Sequence, residues 1–177
     1  MRKAGRYVLD TSALLALRDD ELGAERVHRI IDAARKRRAS AYVSFMTRME
    51  LLYRIAASEG EEAATAALRL LDVLPLHWVT CEPRILVEAA RIKQKGGLSV
   101  ADAWIAATAV LRDAVLVHKD PEFAALPDLP PSELERGMIK LASPTFFDHG
   151  RYEGNFYYAK GVSTSLNLWP GHVGAVR

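Results

Sequence analysis

The feature that most constrains the fold is an alternation. Short, strand-length apolar runs are separated by longer segments with helical spacing along the first 143 residues. Residues 6–9, 41–44, 76–79, 115–117 and 138–141 read as strands. Between them, residues 13–17 suit a short helix, and residues 22–38 place Val27, Ile30, Ile31 and Ala34 at helical intervals. Residues 47–57 and 61–71 read as two helices hinged at Ser58, Glu59 and Gly60. Residues 82–95 form a helix that stops at Gly96 and Gly97, residues 99–111 a strongly apolar one, and a short helix is expected from Pro121. Strands that alternate with helices imply a parallel sheet covered on both faces. The expectation is a three-layer α/β/α body with a central, mainly parallel sheet of about five short strands. In such sheets, ligands bind beyond the carboxyl ends of the strands.

Bulk properties narrow the function classes. A length of 177 residues supports one domain with its own core. No apolar run approaches the roughly 20 residues of a membrane span. The N-terminal Met1-Arg2-Lys3-Ala4-Gly5-Arg6 is basic but lacks the apolar stretch of a secretory signal, since Asp10 follows at once. The single cysteine, Cys81, excludes an internal disulfide framework and fits a reducing cytoplasm, the expected location. A net charge of +2 excludes a polycation, so any nucleic-acid binding must rest on local patches and bound metal. His28, His77 and His118 lack metal-ligand spacing, and no zinc pattern, phosphate-binding loop or dinucleotide loop occurs.

Composition changes near Pro144. Residues 145–177 hold seven of the chain's fourteen aromatics but no Ile or Met, and show neither strand nor helix periodicity. The expected division is therefore a body over residues 1–143 and a tail over 144–177, the latter a natural extension or an artificial addition.

Four acids stand out. Asp10 ends the first strand, in Tyr7-Val8-Leu9-Asp10-Thr11-Ser12, where an α/β sheet builds its site and also where a helix N-cap falls. Glu50, in Thr47-Arg48-Met49-Glu50, completes a capping box with Thr47; it also shares a helix face with Met46, Tyr53 and Ala57, which would turn it inward. Asp102 follows Ser99 in another capping-box pattern, yet it shares a face with Ile105, Ala106 and Ala109 on a helix apolar nearly all round. A charge there costs several kcal/mol unless paired or metal-bound. Asp120 precedes Pro121 after the fourth strand, an arrangement that serves equally as an N-cap.

Taken together, three of these acids fall where a strand or loop enters a helix, at the expected carboxyl edge of one sheet, and the fourth lies one turn into its helix. Carboxylates gathered there repel one another and raise their own pKa values, and a divalent cation removes that repulsion. Oxygen-only ligands favour Mg²⁺, or Mn²⁺ in its place, over zinc. Such a cage suits phosphodiester hydrolysis by metal-activated water, with no side-chain nucleophile.

At these residues the chain resembles the PIN-domain family, and within it the VapC-type toxins of toxin–antitoxin pairs. The resemblance is carried by Tyr-Val-Leu-Asp-Thr-Ser-Ala-Leu-Leu-Ala-Leu at 7–17, Met-Glu-Leu-Leu around Glu50, Leu-Ser-Val-Ala-Asp-Ala-Trp-Ile-Ala-Ala-Thr-Ala at 98–109, and Val-Leu-Val-His-Lys-Asp-Pro-Glu-Phe at 115–123. It spans about residues 6–142 and omits the tail. It implies a PIN-like fold and a Mg²⁺-dependent endoribonuclease that often forms a homodimer and is silenced by an antitoxin. It makes Asp10 and Asp102 direct metal ligands, with Glu50 and Asp120 completing the cage and Thr11 or Ser12 supporting it through hydrogen bonds. One departure is His118-Lys119 before the fourth acid, where many relatives carry small residues such as Thr-Gly; it bears on how Asp120 is presented. Two other readings are an RNA-processing nuclease of the same fold without an antitoxin, and a non-catalytic RNA-binding or assembly module. Arg35, Lys36, Arg37 and Arg38 end a helix, where its dipole favours cations, and are also candidates to contact RNA phosphates.

Overall fold

The computed structural model describes residues 5–120, 122, 123 and 138–140. Five strands form one sheet: β1 (Gly5–Leu9), β2 (Ala39–Ser44), β3 (Leu76–Val79), β4 (Val115–His118) and β5 (Met138–Lys140). Their order is β3-β2-β1-β4-β5, and every pairing is parallel. Six helices among the described residues cover the sheet: α1 (Thr11–Arg18), α2 (Ala24–Arg35), α3 (Phe45–Glu59), α4 (Glu61–Asp72), α5 (Pro83–Gln94) and α6 (Val100–Arg112). This is the expected three-layer α/β/α body. The tail over 144–177 lies outside the described residues, as does most of the helix expected from Pro121.

Strand periodicity builds the two cores. Successive side chains point to opposite faces of a sheet. Leu9, Ala41, Val43 and Val117 accordingly meet α1 to α4, against Leu14, Val27, Ile31, Leu51, Ile55 and Leu71. Val8, Leu116 and Val79 face the other way, against Ile85, Ile92, Ile105 and Ala106 of α5 and α6. Because both faces are covered, the strands read as near-continuous apolar runs rather than alternating ones.

Local signals set most helix starts. Asp10, Ser44 and Ser99 cap α1, α3 and α6 through their side chains, and Pro83 opens α5. Gly60 adopts φ 94° between α3 and α4, a left-handed turn that only glycine enters without strain. The capping box expected at Thr47 is not formed. Ser44 is the cap, accepting from the Met46 amide at 3.3 Å, so α3 begins two residues earlier and Thr47 is buried in its first turn. The helix expected over 22–38 is shorter, because Lys36 caps it and Arg37 turns to φ 55°.

The chain runs outward from β1 to β2 and β3, then crosses back to place β4 on the other flank of β1. The crevice beyond the carboxyl ends of β1 and β4 is thus the topological switch point, where such sheets hold their ligands. Asp10 follows β1, and Asp120 lies two residues beyond β4. Truncating Ile105, fully buried on the α6 side of the sheet, to alanine is expected to cost about 2–5 kcal/mol of unfolding free energy without altering the fold. Urea unfolding followed by far-ultraviolet circular dichroism measures it; a loss under about 1 kcal/mol would contradict this packing.

Candidate metal centre

Asp10 stands at the switch point with only 3% of its surface exposed. Its Oδ2 accepts two hydrogen bonds from Ser12, from the amide at 3.0 Å and the hydroxyl at 2.6 Å. Its Oδ1 is buried and meets no donor. The cap reading is realised through one oxygen of the carboxylate, and the other is left as a buried acceptor. Burial raises its pKa to about 6 from 3.8, the two Ser12 hydrogen bonds and the nearby Thr11 amide pull it partly back, and the Asp102 charge adds a further push upward.

The two hydroxyls that open α1 serve different acids. Thr11 donates to Glu50 Oε2 on α3. Ser12, besides holding Asp10, accepts from the Lys119 amide at 2.8 Å and so binds the end of β4 to the start of α1. The strands meet at the same place, because the Asp10 amide donates to the Val117 carbonyl at 3.1 Å.

Glu50 is half-buried, and desolvation raises its pKa most; the Thr11 hydrogen bond lowers it, Asp102 raises it, Arg54 lowers it and Asp120 raises it. The helix face it was expected to share does not turn inward as a whole, since Tyr53 is 55% exposed and Ala57 is exposed too. Glu50 reaches the site because α3 packs beside α1. Asp102 lies in the first turn of α6, and its amide donates to Ser99 Oγ at 3.1 Å. Its carboxylate sits at a partly buried position, close enough to act electrostatically on both Asp10 and Glu50. Asp120 Oδ1 accepts from the Glu122 amide at 2.9 Å, the cap its Asp-Pro setting suggests. Its charge also bears on Glu50.

The four acids thus share one electrostatic neighbourhood. Three of them commit an oxygen to a donor of the chain, and among the described residues no three acidic, histidine or cysteine side chains converge tightly enough to grip an ion. The donor set is still one that hard cations take. It is all carboxylate oxygen, and the orphaned Asp10 Oδ1 is a buried acceptor that a cation would satisfy.

Arg35, Lys36, Arg37 and Arg38 do not join this site. They lead directly into β2, whose first residue, Ala39, pairs with Gly5 at the start of β1, so they lie at the amino edge of the sheet. The cation whose charge reaches an acid of the site is Arg54, felt by Glu50, while the Lys119 ammonium pairs with Glu21. Sequence reasoning noted His118-Lys119 only as a departure and missed the bond of the Lys119 amide to Ser12, since it depends on β4 lying next to β1, which no local pattern encodes.

A family model for the PIN domain matches residues 7–129. No curated protein is significantly similar in sequence. Among solved structures, the chain is similar to VapBC2 from Rickettsia felis bound to a DNA fragment from their promoter, at 17% identity over 77% of this chain and 99% of that one, with a TM-score of 0.59. It is similar to DNA-bound VapBC from Salmonella typhimurium, at 19% identity over 77% and 98%, with a TM-score of 0.57. It is also similar to VapBC-5 from Mycobacterium tuberculosis, described as a member of the VapBC family of toxin–antitoxin systems, at 20% identity over 77% and 99%, with a TM-score of 0.55.

The Asp10 carboxyl sets a pH dependence of stability. Its folded-state pKa of about 6 lies above the ordinary 3.8, so the folded state holds the proton more tightly than the unfolded chain. Stability from this group is full below about pH 4 and is lost as pH rises through about 6, a fall on the order of 3 kcal/mol in the absence of divalent cations. Asp10→Asn, which carries no titrating charge, should gain on the wild type across that interval, as read from thermal melts in chelator at pH 4 and pH 7.5. An equal difference at both pH values would contradict the burial of an ionising group here.

Proposed function

Because this chain belongs to the PIN domain family, we propose that it is a metal-dependent endoribonuclease and the toxin of a toxin–antitoxin pair. The observation that carries the proposal is the Asp10 carboxylate: buried at the switch point, capped through one oxygen and left without a partner on the other. A buried carboxylate oxygen without a donor costs on the order of 1–3 kcal/mol or more, so its position asks for a ligand.

Asp10 and Asp102 would hold Mg²⁺, or Mn²⁺ in its place, with Glu50 and Asp120 completing the shell directly or through water. Such a cation supplies a water of lowered pKa and offsets the charge that builds on the phosphoryl oxygens as the phosphodiester is cut. The chain contributes the geometry. Ser12 fixes the Asp10 carboxylate by two hydrogen bonds and ties it to the β4 end. Thr11 holds Glu50 in reach of the same space. Burial raises the proton affinity of Glu50, which a bound cation would offset. RNA as the substrate follows from the family resemblance, and a protein antitoxin is supported by the toxin–antitoxin complexes among the similar structures.

A homodimer is part of the same reading. Met49, Leu52 and Tyr53 on α3, Leu86 and Val87 on α5, and Val100 on α6 are large apolar side chains left exposed, Val87 to 69%. Exposed apolar side chains on these three helices support association with a second copy of the chain. Light scattering should give twice the chain mass for the wild type, and Val87→Glu should shift the population toward monomer.

The catalytic test uses purified protein and single-stranded RNA. Cleavage should require Mg²⁺ or Mn²⁺ and fall by at least about a hundredfold in Asp10→Asn and in Asp102→Asn, as removal of a group acting in the transition state would make it. Mg²⁺ should also raise the melting temperature of the wild type and not that of Asp10→Asn. Undiminished cleavage by both variants, free of contaminating nuclease, would refute the assignment.

A further inference from the structure

His118 closes β4 with a buried ring, 2% exposed, two residues before Asp120. Its Nδ1 lies 2.8 Å from the Asp120 carbonyl oxygen. A carbonyl only accepts, so Nδ1 carries the hydrogen and donates it. The ring meets Phe123 edge to face, with centroids 4.9 Å apart and planes at 63°, and Phe123 is itself fully buried. The backbone therefore folds around the imidazole, holding residue 120 through a hydrogen bond and residue 123 through packing. Asp120 is held a second time, through its side chain, because Oδ1 accepts from the Glu122 amide at 2.9 Å. Lys119 between them is anchored by its amide on Ser12 and its ammonium on Glu21.

We propose that His118 is a positioning residue for Asp120. Its Nδ1–H fixes the Asp120 carbonyl, and that in turn sets where the carboxylate stands against Glu50. The proposal rests on the reading of Asp120 as one of the acids that hold the metal. The burial of the ring makes the constraint firm, because a hydrogen bond shielded from water is not readily exchanged for one to solvent. A small hydroxyl side chain at position 118 would not fill the space against Phe123.

The test separates the donor from the ring. His118→Phe keeps an aromatic ring against Phe123 and removes the donor; His118→Asn places an amide N–H near the Nδ1 position and removes the ring. Two readouts are taken on the full chain. In metal-free buffer, amide exchange by NMR should show the Glu122 N–H exchanging roughly fivefold faster in His118→Phe, with recovery in His118→Asn. By calorimetry, the Mn²⁺ dissociation constant should rise about tenfold in His118→Phe, as for loss of a group supporting a ligand. That rise should vanish when His118→Phe is added to Asp120→Asn, since the effect then has nothing to act through. An unchanged Glu122 exchange rate in His118→Phe, equal impairment of the Phe and Asn variants, or a full tenfold loss persisting in the Asp120→Asn background would each overturn the proposal. Wild-type protein that takes up no Mn²⁺ would refute the metal reading, while the exchange measurement would still decide the role of His118.

Discussion

The structure depends on the pairing of β1 with β4. Tyr7, Val8 and Leu9 stand beside Val115, Leu116 and Val117, partners more than a hundred residues apart in the chain. This one contact turns a run of strands into a sheet with a switch point, and it brings the end of β4 within a hydroxyl's reach of the start of α1. Without it Asp10 would be an ordinary capping residue at the edge of a three-stranded sheet. With it, Asp10 is enclosed, and its neighbourhood takes in residues from three other parts of the sequence.

Enclosure has an electrostatic consequence. Burial raises the proton affinity of Asp10 and Glu50, and the charges of Asp102 and Asp120 reinforce the rise. The fold resists this only in part, through Ser12 and Thr11. A domain that needed only to be stable would fill this crevice with apolar side chains, since removing a buried charge is often neutral or stabilising. The packing elsewhere is of that kind, with Ile105, Leu116 and Ile85 fully enclosed in one core and Leu14, Leu51 and Ile55 in the other. Of the buried polar residues, Asp10, Thr11, Ser44, Thr47 and His118 lie at or just beyond the carboxyl ends of β1, β2 and β4, while Thr108 lies within α6 and donates to the Trp104 carbonyl.

Much of this was legible in the sequence. The five strands and six of the helices fall where periodicity and capping residues put them, because each of those signals is local. Asp102 stood out because a charge on the buried helix around Ile105 and Ala106 conflicts with burial. What was not legible depends on contacts between distant segments. Strand order cannot be read from Val8 or Leu116 alone, and so the link from Ser12 to Lys119 was invisible. Thr47 looked like a cap because the serine that serves, Ser44, was assigned to the preceding strand; a β-strand end and a helix N-cap share the same extended backbone. The inward face expected for Glu50 was read from helix spacing, but α3 leaves Tyr53 in solvent, and Glu50 owes its burial to α1 instead. The basic run at Arg35 was correctly placed at a helix end, yet only the topology shows that this end lies on the far side of the sheet from the acids.

The parallel register of β1 with β4 also bears on how the protein is made. Asp10 emerges from the ribosome early and Glu50 soon after, but the surroundings that bury Asp10 need Val117 for its backbone partner and Lys119 for the far side of Ser12. A parallel pairing over so long a separation forms only once both strands are available. A nascent or prematurely terminated chain that stops short of residue 115 therefore carries three of the four acids with no crevice to place them in. The crevice around Asp10 can close only once synthesis has passed β4.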